Sequence, residues 1–481
     1  MKKKEEINLF IFRRDLRYED NHAFIELLEN SANDERTIKV LPVFIFNPIQ
    51  IDPHKNQYFS RNAVEFMIQC LKELSMSLFD SLCYFEGDDI NILNKLLSYF
   101  QINTIAFNTD YTPFAKYRDD RIREWCQEKG ISLITSNTDY TLLPFGNILS
   151  NSTKAPYEVF TPYYNKFLSK GLKLIPRPFL FKIKKDTLFL NGRTVLRTIA
   201  VRDIDKYYQI GNINLAVTGG RKIALDKLKS IEQGRFRNYS KERDFPSLEA
   251  TTKLSAFMKF GCVSVREVFF ASIRNKNLIR ELIWREFYAN ITYYHSHVLS
   301  GQIPGKNRNH SFKSKYDNLV YGYDEKYWKA FIEGKTGFPF VDAGIRQLLT
   351  TGFCHNRLRM QLGMFFTKDL LMDWKLFEKW MASNLVDYDP SSNNGGCQWT
   401  SSTGTDAAPY FRIFNPFSQS KKYDPNADYI RKWVPELRNV PIKSIQAWDQ
   451  EYMNFPKVNY PRPIVNHSEQ VKKALEMFKR I

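Results

Sequence analysis

Along the first 136 residues, continuous apolar runs alternate with segments whose apolar positions recur every three or four residues. "INLFIF", "VLPVFIF", "LCYFEG", "TIAFN" and "SLIT" read as strands buried on both faces. Between them, "NHAFIELLEN", "NAVEFMIQCLKELSMSLF", "INILNKLLSYF" and "YRDDRIREWCQEKG" read as amphipathic helices. Strands that are apolar throughout and joined by helices belong to a parallel sheet covered on both faces. Residues 1–136 are therefore expected to form a doubly wound α/β domain. No G-x-G-x-x-G follows the first strand, so the ordinary nicotinamide fingerprint is missing.

From 137 to 220 the pattern loosens into "LLPFGNILSNSTKAPYEVFTPYYNKF" and the lysine-rich "FKIKKDTLFLNGRT", a long connector partly ordered by its aromatics. Over 221–481 the apolar period is helical almost throughout, with no internal repeat, which predicts an all-α domain. One stretch breaks that period. "SNNGGCQWTSSTGTDAAPYF", residues 391–410, has the composition of a loop, yet it runs into the aromatic "YFRIFNPF" and so must be anchored to a core. Backbone passing close to a bound ligand explains both features.

Composition bounds the partner. The chain of 481 residues exceeds one ordinary core, and 70 Lys plus Arg against 52 Asp plus Glu leave a net charge of +18, which favours a polyanion. The six cysteines, Cys70, Cys83, Cys126, Cys262, Cys354 and Cys397, show no paired metal spacing, and a chain of this size needs no disulfide framework. A reducing, intracellular setting is expected. The opening "MKKKEEINLF" lacks an apolar run of signal length, and nothing later approaches a membrane span.

Three polar clusters interrupt the helical half. In "RELIWREFYANITYYH", Glu281, Arg285 and Tyr288 share one face, and Glu281 and Arg285 stand at the spacing of a surface ion pair. In "CHNRLRMQLGMFFTKDLLMDW", Asn356, Arg359, Met360 and Gly363 share a face opposite Leu358, Leu362 and Phe365. "LVDYDPSSNN" offers Asp387 and Asp389 beside Asn393 and Asn394. No further ligand set accompanies this Asp-x-Asp, which points to a carboxylate paired with a buried Arg rather than to a metal.

With these motifs the chain resembles the DNA photolyase and cryptochrome family, and within it the bacterial-type (class I) cyclobutane pyrimidine dimer photolyases. The likeness runs from "FIFRRDLRYEDN" through "TTKLSAFMKFG", "ELIWREFY", "EGKTGFPFVDAGIRQL", "CHNRLRM" and "NNGGCQWTSSTGTDAAPYFRIFNP" to "YPRPIV". It implies FAD, folded into a U inside the helical domain. By the resemblance, Tyr239 and the run Thr251, Thr252, Lys253, Leu254 and Ser255 hold the pyrophosphate. The same run also fits a plain helix cap. Arg285, Glu281 and Asn356 join the cofactor set, Arg359 and Asp387 pair against the isoalloxazine with Asp389 beside it, and Asn393 faces the protonatable nitrogen of the central ring. Bulk in the 391–410 stretch would then displace flavin.

The substrate implied is damaged DNA, flipped out of the duplex as such repair enzymes do, photolyases being among the standard examples. Trp284 and Trp399 match the stacking walls, Glu281 hydrogen-bonds the dimer, Asn356 and Met360 complete the floor, and Arg243, Arg357 and Arg412 grip phosphates. The electron-transfer tryptophans of the family are matched by Cys397, Trp374 and Tyr321, so only the middle one is retained.

The resemblance thus implies light-driven dimer repair by a monomer. A light-signalling cryptochrome and a light-independent DNA-binding module are the alternatives. A single His355 followed by Asn356, Asn393 in place of Asp or Cys, and an end at "EQVKKALEMFKRI" without a long signalling tail favour repair. For the antenna, Ala115 in "FNTDYTPFAKYRDD" stands where folate-binding members carry an acid, so a deazaflavin is expected over methenyltetrahydrofolate.

Overall fold

The strand pattern folds as its periodicity requires. In the computed structural model, which describes residues 4–36, 38–208, 211–303, 305–306 and 308–481, strands β1 (Glu5–Phe12), β2 (Lys39–Phe46), β3 (Cys83–Glu86), β4 (Phe100–Asn108) and β5 (Ser132–Ser136) form one parallel sheet. Their order is β3-β2-β1-β4-β5, so the chain winds outward first to one side of β1 and then to the other. The register of β1 on β2 runs from Ile7 opposite Lys39 to Phe12 opposite Phe44.

Alternate residues of β1 feed two different cores. Phe10 and Phe12 enter one with Phe24, Phe46 and Phe66, while Ile7, Leu9 and Ile11 enter another with Leu41, Val43, Ile92 and Trp125. This is why the strand sequences are apolar without alternation. Helices α1 (His22–Asn33), α2 (Arg61–Ser77), α3 (Asp89–Tyr99) and α4 (Pro113–Lys129) cover the sheet. Asn21, Ser60 and Asp88 cap the first three through side-chain oxygens, and Gly130, left-handed at φ 66°, stops the fourth.

The connector lies on the sheet edge rather than looping free. Phe189 donates its N–H to the Val40 carbonyl at 2.8 Å, and Val201 donates to Tyr84 at 2.7 Å. Helix α5 (Phe160–Lys170) then packs toward the helical half, where α6 (Arg221–Glu232), α7 (Lys276–Tyr294), α8 (Asn356–Met364), α9 (Trp374–Asn384) and α10 (Pro390–Thr400) are the longer elements around the site. The core containing Phe66 continues without a break into Phe257, Ile283 and Phe287 of that half.

Buried ions lock the two halves. Arg266 donates to Asp20 at 2.9 Å and Arg17 to Asp139 at 2.6 Å, with all four side chains at most 1% exposed. Each charge is costly alone in such a place and is held by its partner together with backbone hydrogen bonds, such as those of Arg17 to the Gly261 carbonyl and of the Phe179 N–H to Asp20. No helix among the described residues is long and apolar enough to cross a membrane.

Candidate functional site

Three helices carry the sequence-marked residues, and each starts at a cap its sequence specifies. Asn275 accepts from the N–H groups of Asn277 and Leu278 to open α7. The Nδ1 of His355 accepts from the Arg357 N–H at 3.2 Å to open α8. Asp389 accepts from the Ser392 N–H at 2.9 Å, with Pro390 in the first position, to open α10.

The loop expected over 391–410 is therefore corrected, because its first ten residues are helical. Gly, Ser and Asn are poor helix formers in isolation, but here packing overrides propensity. At Gly395 an added Cβ would run into the Tyr288 ring on α7, and at Gly363 of α8 it would run into Thr400. These two glycines let the helices approach each other. Gly396, next along α10, faces open space instead, with nothing within 4 Å of the position a Cβ would take.

The Asp-x-Asp carboxylates diverge. Asp387, buried, receives the Arg359 Nη2 on both oxygens at 2.9 Å, and Arg359 also donates Nε to the Cys354 carbonyl at 2.9 Å. Asp389 has both oxygens engaged elsewhere, Oδ1 as the helix cap and Oδ2 by Arg14 of the α/β half at 3.0 Å. Burial acts to raise the Asp389 carboxyl, but Arg14 and Lys259 hold it well below the usual range. Asn393 is buried and donates to the Glu378 carbonyl at 3.1 Å, while Asn394 and Asn309 donate to the Glu378 carboxyl at 2.9 Å. Burial pushes that carboxyl up to about 7.

The expected pair of Glu281 with Arg285 is also corrected. Arg285 donates instead to the Tyr140 carbonyl at 2.7 Å and lies 3.6 Å from Glu286, joining the interface between the halves. Glu281 pairs with Arg243, whose guanidinium lies over the Tyr239 ring at 5.5 Å. Burial drives the Tyr239 phenol up to about 12. Arg357 pairs with Asp244 at 2.8 Å and lies over the Tyr423 ring at 4.1 Å. Asn356, exposed, reaches the Met360 sulfur at 3.8 Å. Glu281, Arg243, Arg357, Asn356 and Met360 thus gather at one rim, with His355 beneath them, its imidazole lowered to about 4 by burial and hence neutral.

Trp284 on α7 lies flat against Phe160 of α5, the ring centroids 3.5 Å apart and the planes 5° from parallel. Trp399 is half-buried on α10, one residue from the helix end. Arg412 is exposed on the following loop, where the buried Lys368 ammonium donates to the Ser402 hydroxyl at 2.8 Å and to the Arg412 carbonyl at 3.3 Å.

The run 251–255 precedes a helix of only five residues, Ser255–Lys259, and no side chain caps that helix, so the plain-cap alternative fails. Thr252 Oγ1 accepts from the Leu254 N–H at 3.4 Å, Lys253 adopts φ 51° beside Glu249, Leu254 is buried, and Ser255 is exposed. Uncommitted hydroxyls there, the Arg359–Asp387 pair and the open face at Gly396 fit a phosphate-bearing planar cofactor.

Trp374, Cys397 and Tyr321 fall in one core cluster. The Trp374 Nε1 and the Tyr321 hydroxyl are buried without a partner, and burial drives the Cys397 thiol far up, so the sulfur is protonated. Trp380 lies in the same cluster, 5.1 Å from Phe331.

A second cavity lies between the halves. Its volume is about 420 Å³, and it is lined by Arg13, Arg14, Asp89, Ala115, Arg118 and Lys259, with Tyr388 and Pro390 contributing at the start of α10. Burial lowers the Lys259 amine to about 8.

Sequence reasoning missed Phe160, Lys368 and Glu378. Glu378 in "LFEKWM" is indistinguishable from a solvated helix charge. Phe160 belongs to the connector and carries no pattern. Lys368 had a signal, a charge inside the apolar run "MFFTKDLLM", where α8 passes into the π-helical turn Phe365–Asp369.

Residues 8–179 match the family model described as DNA photolyase, and residues 278–480 match that described as the FAD binding domain of DNA photolyase. The deoxyribodipyrimidine photo-lyase of Alkalihalophilus pseudofirmus is 36% identical, with 97% of each chain covered. Among solved structures, an archaeal photolyase from Sulfolobus tokodaii with two FAD molecules has a TM-score of 0.81 at 34% identity, over 99% of this chain and 100% of that one. A bacterial class III photolyase from Agrobacterium tumefaciens has a TM-score of 0.84 at 28% identity, over 100% and 98%.

Proposed function

The chain belongs to the DNA photolyase family, and from that premise we propose that it is a deoxyribodipyrimidine photo-lyase, repairing cyclobutane pyrimidine dimers in DNA under blue light. The observation that carries the reading is the end-to-end likeness to a curated enzyme of that name. The rim of Glu281, Asn356, Met360 and two arginines beside Trp284 supplies the chemistry such a substrate needs.

FAD, when bound and reduced, supplies the electron that opens the cyclobutane ring. The residues of the chain bind, orient and exclude water. Tyr239 and the run 251–255 take the pyrophosphate, the Arg359–Asp387 pair and Asn393 flank the ring system, and Gly396 leaves room for it. Trp284, backed by Phe160, and Trp399 replace the stacking lost when the dimer leaves the helix. Arg243, Arg357 and Arg412 take phosphates. Since Arg243 and Arg357 already hold Glu281 and Asp244, DNA competes for both, and the phosphate that captures Arg243 releases Glu281 to the dimer.

For the cavity between the halves we propose a tricyclic antenna, a deazaflavin or a flavin, in preference to a folate. Ala115 on its wall supports this, since the position at which folate-binding members carry an acid has none, although Asp89 and Asp110 line the cavity elsewhere and Arg13, Arg14 and Arg118 are paired with aspartates. The catalytic unit is proposed to act as a monomer, with its boundaries at 136 and 220. An absorption spectrum of natively purified protein tests both chromophores, and dimer repair measured in light and darkness tests the reaction. Repair in darkness, or by flavin-free protein, would overturn the reading.

A further inference from the structure

We propose that Cys70 and Cys262 are an oxidisable dithiol pair, which an oxidant of the disulfide class converts into a covalent tie between the α/β half and the helical half.

The two sulfurs are 3.0 Å apart although their residues are 192 positions apart in the chain. Among the described residues no other cysteines make such a contact, and Cys83, Cys126, Cys354 and Cys397 lie apart in the interior. Cys70 sits on α2, at 2% exposure, and Cys262 follows the Ser255–Lys259 helix, at 0%. Phe66, one turn before Cys70, packs on Phe257 and Phe260 at 5.1 and 5.6 Å, and the Phe260 carbonyl accepts from the Leu16 N–H at 2.9 Å. A Cβ on Gly261 would strike the Arg14 backbone, and one on Gly219 would strike Cys70 itself, so glycine is required on both sides of the pair. An ordinary apolar core has no need of two thiols in contact, whereas a disulfide needs the sulfurs brought together in this way.

The pair also joins two walls of the cavity described above. Ala63, Val64 and Met67 line it from the helix of Cys70, and Lys259 and Phe260 line it from the segment of Cys262. Oxidation would fix these walls to each other, and with them the nearby run 251–255.

The step balances in two exchanges. One cysteine, as thiolate, attacks a sulfur of oxidised glutathione, forming a mixed disulfide and releasing glutathione. The second cysteine then attacks the protein sulfur of that mixed disulfide, closing the Cys70–Cys262 bond and releasing the second glutathione. Two electrons pass to the oxidant, and the two protons leave with the released thiols. Both sulfurs are buried, and burial holds the Cys70 thiol well above its ordinary value, so reaction proceeds through transient openings and is slow beside that of an exposed thiol.

The test uses the full-length native protein incubated with oxidised glutathione, then alkylated and mapped without reductant. The expected result is a peptide joining Cys70 to Cys262, with titratable thiols falling by two from the six in the chain. Protein nicked by protease in the 137–220 connector should then run as one denatured species without reductant and as two with it. Cys70→Ser and Cys262→Ser should each abolish the joined species while keeping the native melting profile. If both cysteines are alkylated as free thiols after native incubation, or if the peptides found join other cysteines, the proposal is wrong. If the serine variants fail to fold, the wild-type peptide map decides alone.

Discussion

Trp284 and Phe160 are stacked face to face, centroids 3.5 Å apart, although one belongs to a core helix of the catalytic half and the other to the connector. The indole, half-buried and also flanked by Tyr288 and Phe287, is held in place by the aromatic behind it. An aromatic pair of this kind contributes about 0.5–1.5 kcal/mol beyond its buried area. Phe160→Ala is expected to weaken binding of dimer-containing DNA roughly two- to tenfold with flavin content unchanged. Fluorescence anisotropy on damaged and undamaged oligonucleotides checks this, and loss of flavin instead would place Trp284 in the cofactor site.

Trp399→Ala removes a stacking wall directly. Base stacking on an aromatic contributes about 1–3 kcal/mol, so affinity for damaged DNA should fall roughly tenfold or more. The same titration, with bound flavin measured by absorbance, separates this from a collapsed pocket.

The Arg243–Glu281 pair predicts a split between binding and chemistry. Glu281→Gln removes the carboxylate that competes with phosphate, so DNA affinity should be unchanged or tighter, while repair per absorbed photon falls. Parallel measurement of affinity and repair yield checks it, and a joint loss of both would show that Glu281 acts mainly in binding.

By the family resemblance, Cys397 stands at the flavin end of the electron-transfer series, where relatives carry a tryptophan, and it shares a core cluster with Trp374 and Tyr321. Photoreduction of oxidised protein should be slow, and repair after chemical reduction should be normal. Cys397→Trp should accelerate photoreduction if the core, where Cys397 is only 5% exposed, accepts the bulk. Transient absorption checks it. Rapid reduction in the wild type that vanishes in Trp374→Phe would show that the inherited route still conducts.

Glu378 predicts a pH dependence of stability. Its carboxyl titrates at about 7 when folded and near 4.5 when unfolded, so the folded state binds the proton more tightly. Stability from this group is full below 4.5 and is lost as pH rises through 7, an effect of up to roughly 3 kcal/mol. Glu378→Gln should remove that slope and narrow the gap between melting temperatures at pH 5 and pH 8. An unchanged gap would mean that the Asn309 and Asn394 donors keep the carboxylate ionised.

The sheet was legible because a parallel strand buried on both faces can only be written in apolar residues, as in "INLFIF" and "VLPVFIF". The lone Asp-x-Asp called for a buried Arg, and the family resemblance supplied which one, the Arg359 that pairs with Asp387. Helix α10 was not. Its Gly395 is set by Tyr288, more than a hundred positions earlier, and local composition records nothing of that contact. Arg285 misled for a similar reason, since favourable spacing to Glu281 within one helix says nothing of the Tyr140 carbonyl that competes for it.

The buried Arg266–Asp20 and Arg17–Asp139 pairs set a limit on modularity. A fragment ending at 136 would carry Asp20 and Arg17 with neither partner, and a fragment beginning at 221 would carry Arg266 with neither Asp20 nor Asp139. Each would expose an apolar face and strand a charge built for the interior. The halves are therefore expected to unfold together in a single transition, and a chimera that exchanges one of them with a relative must carry matching ions on both sides of the seam.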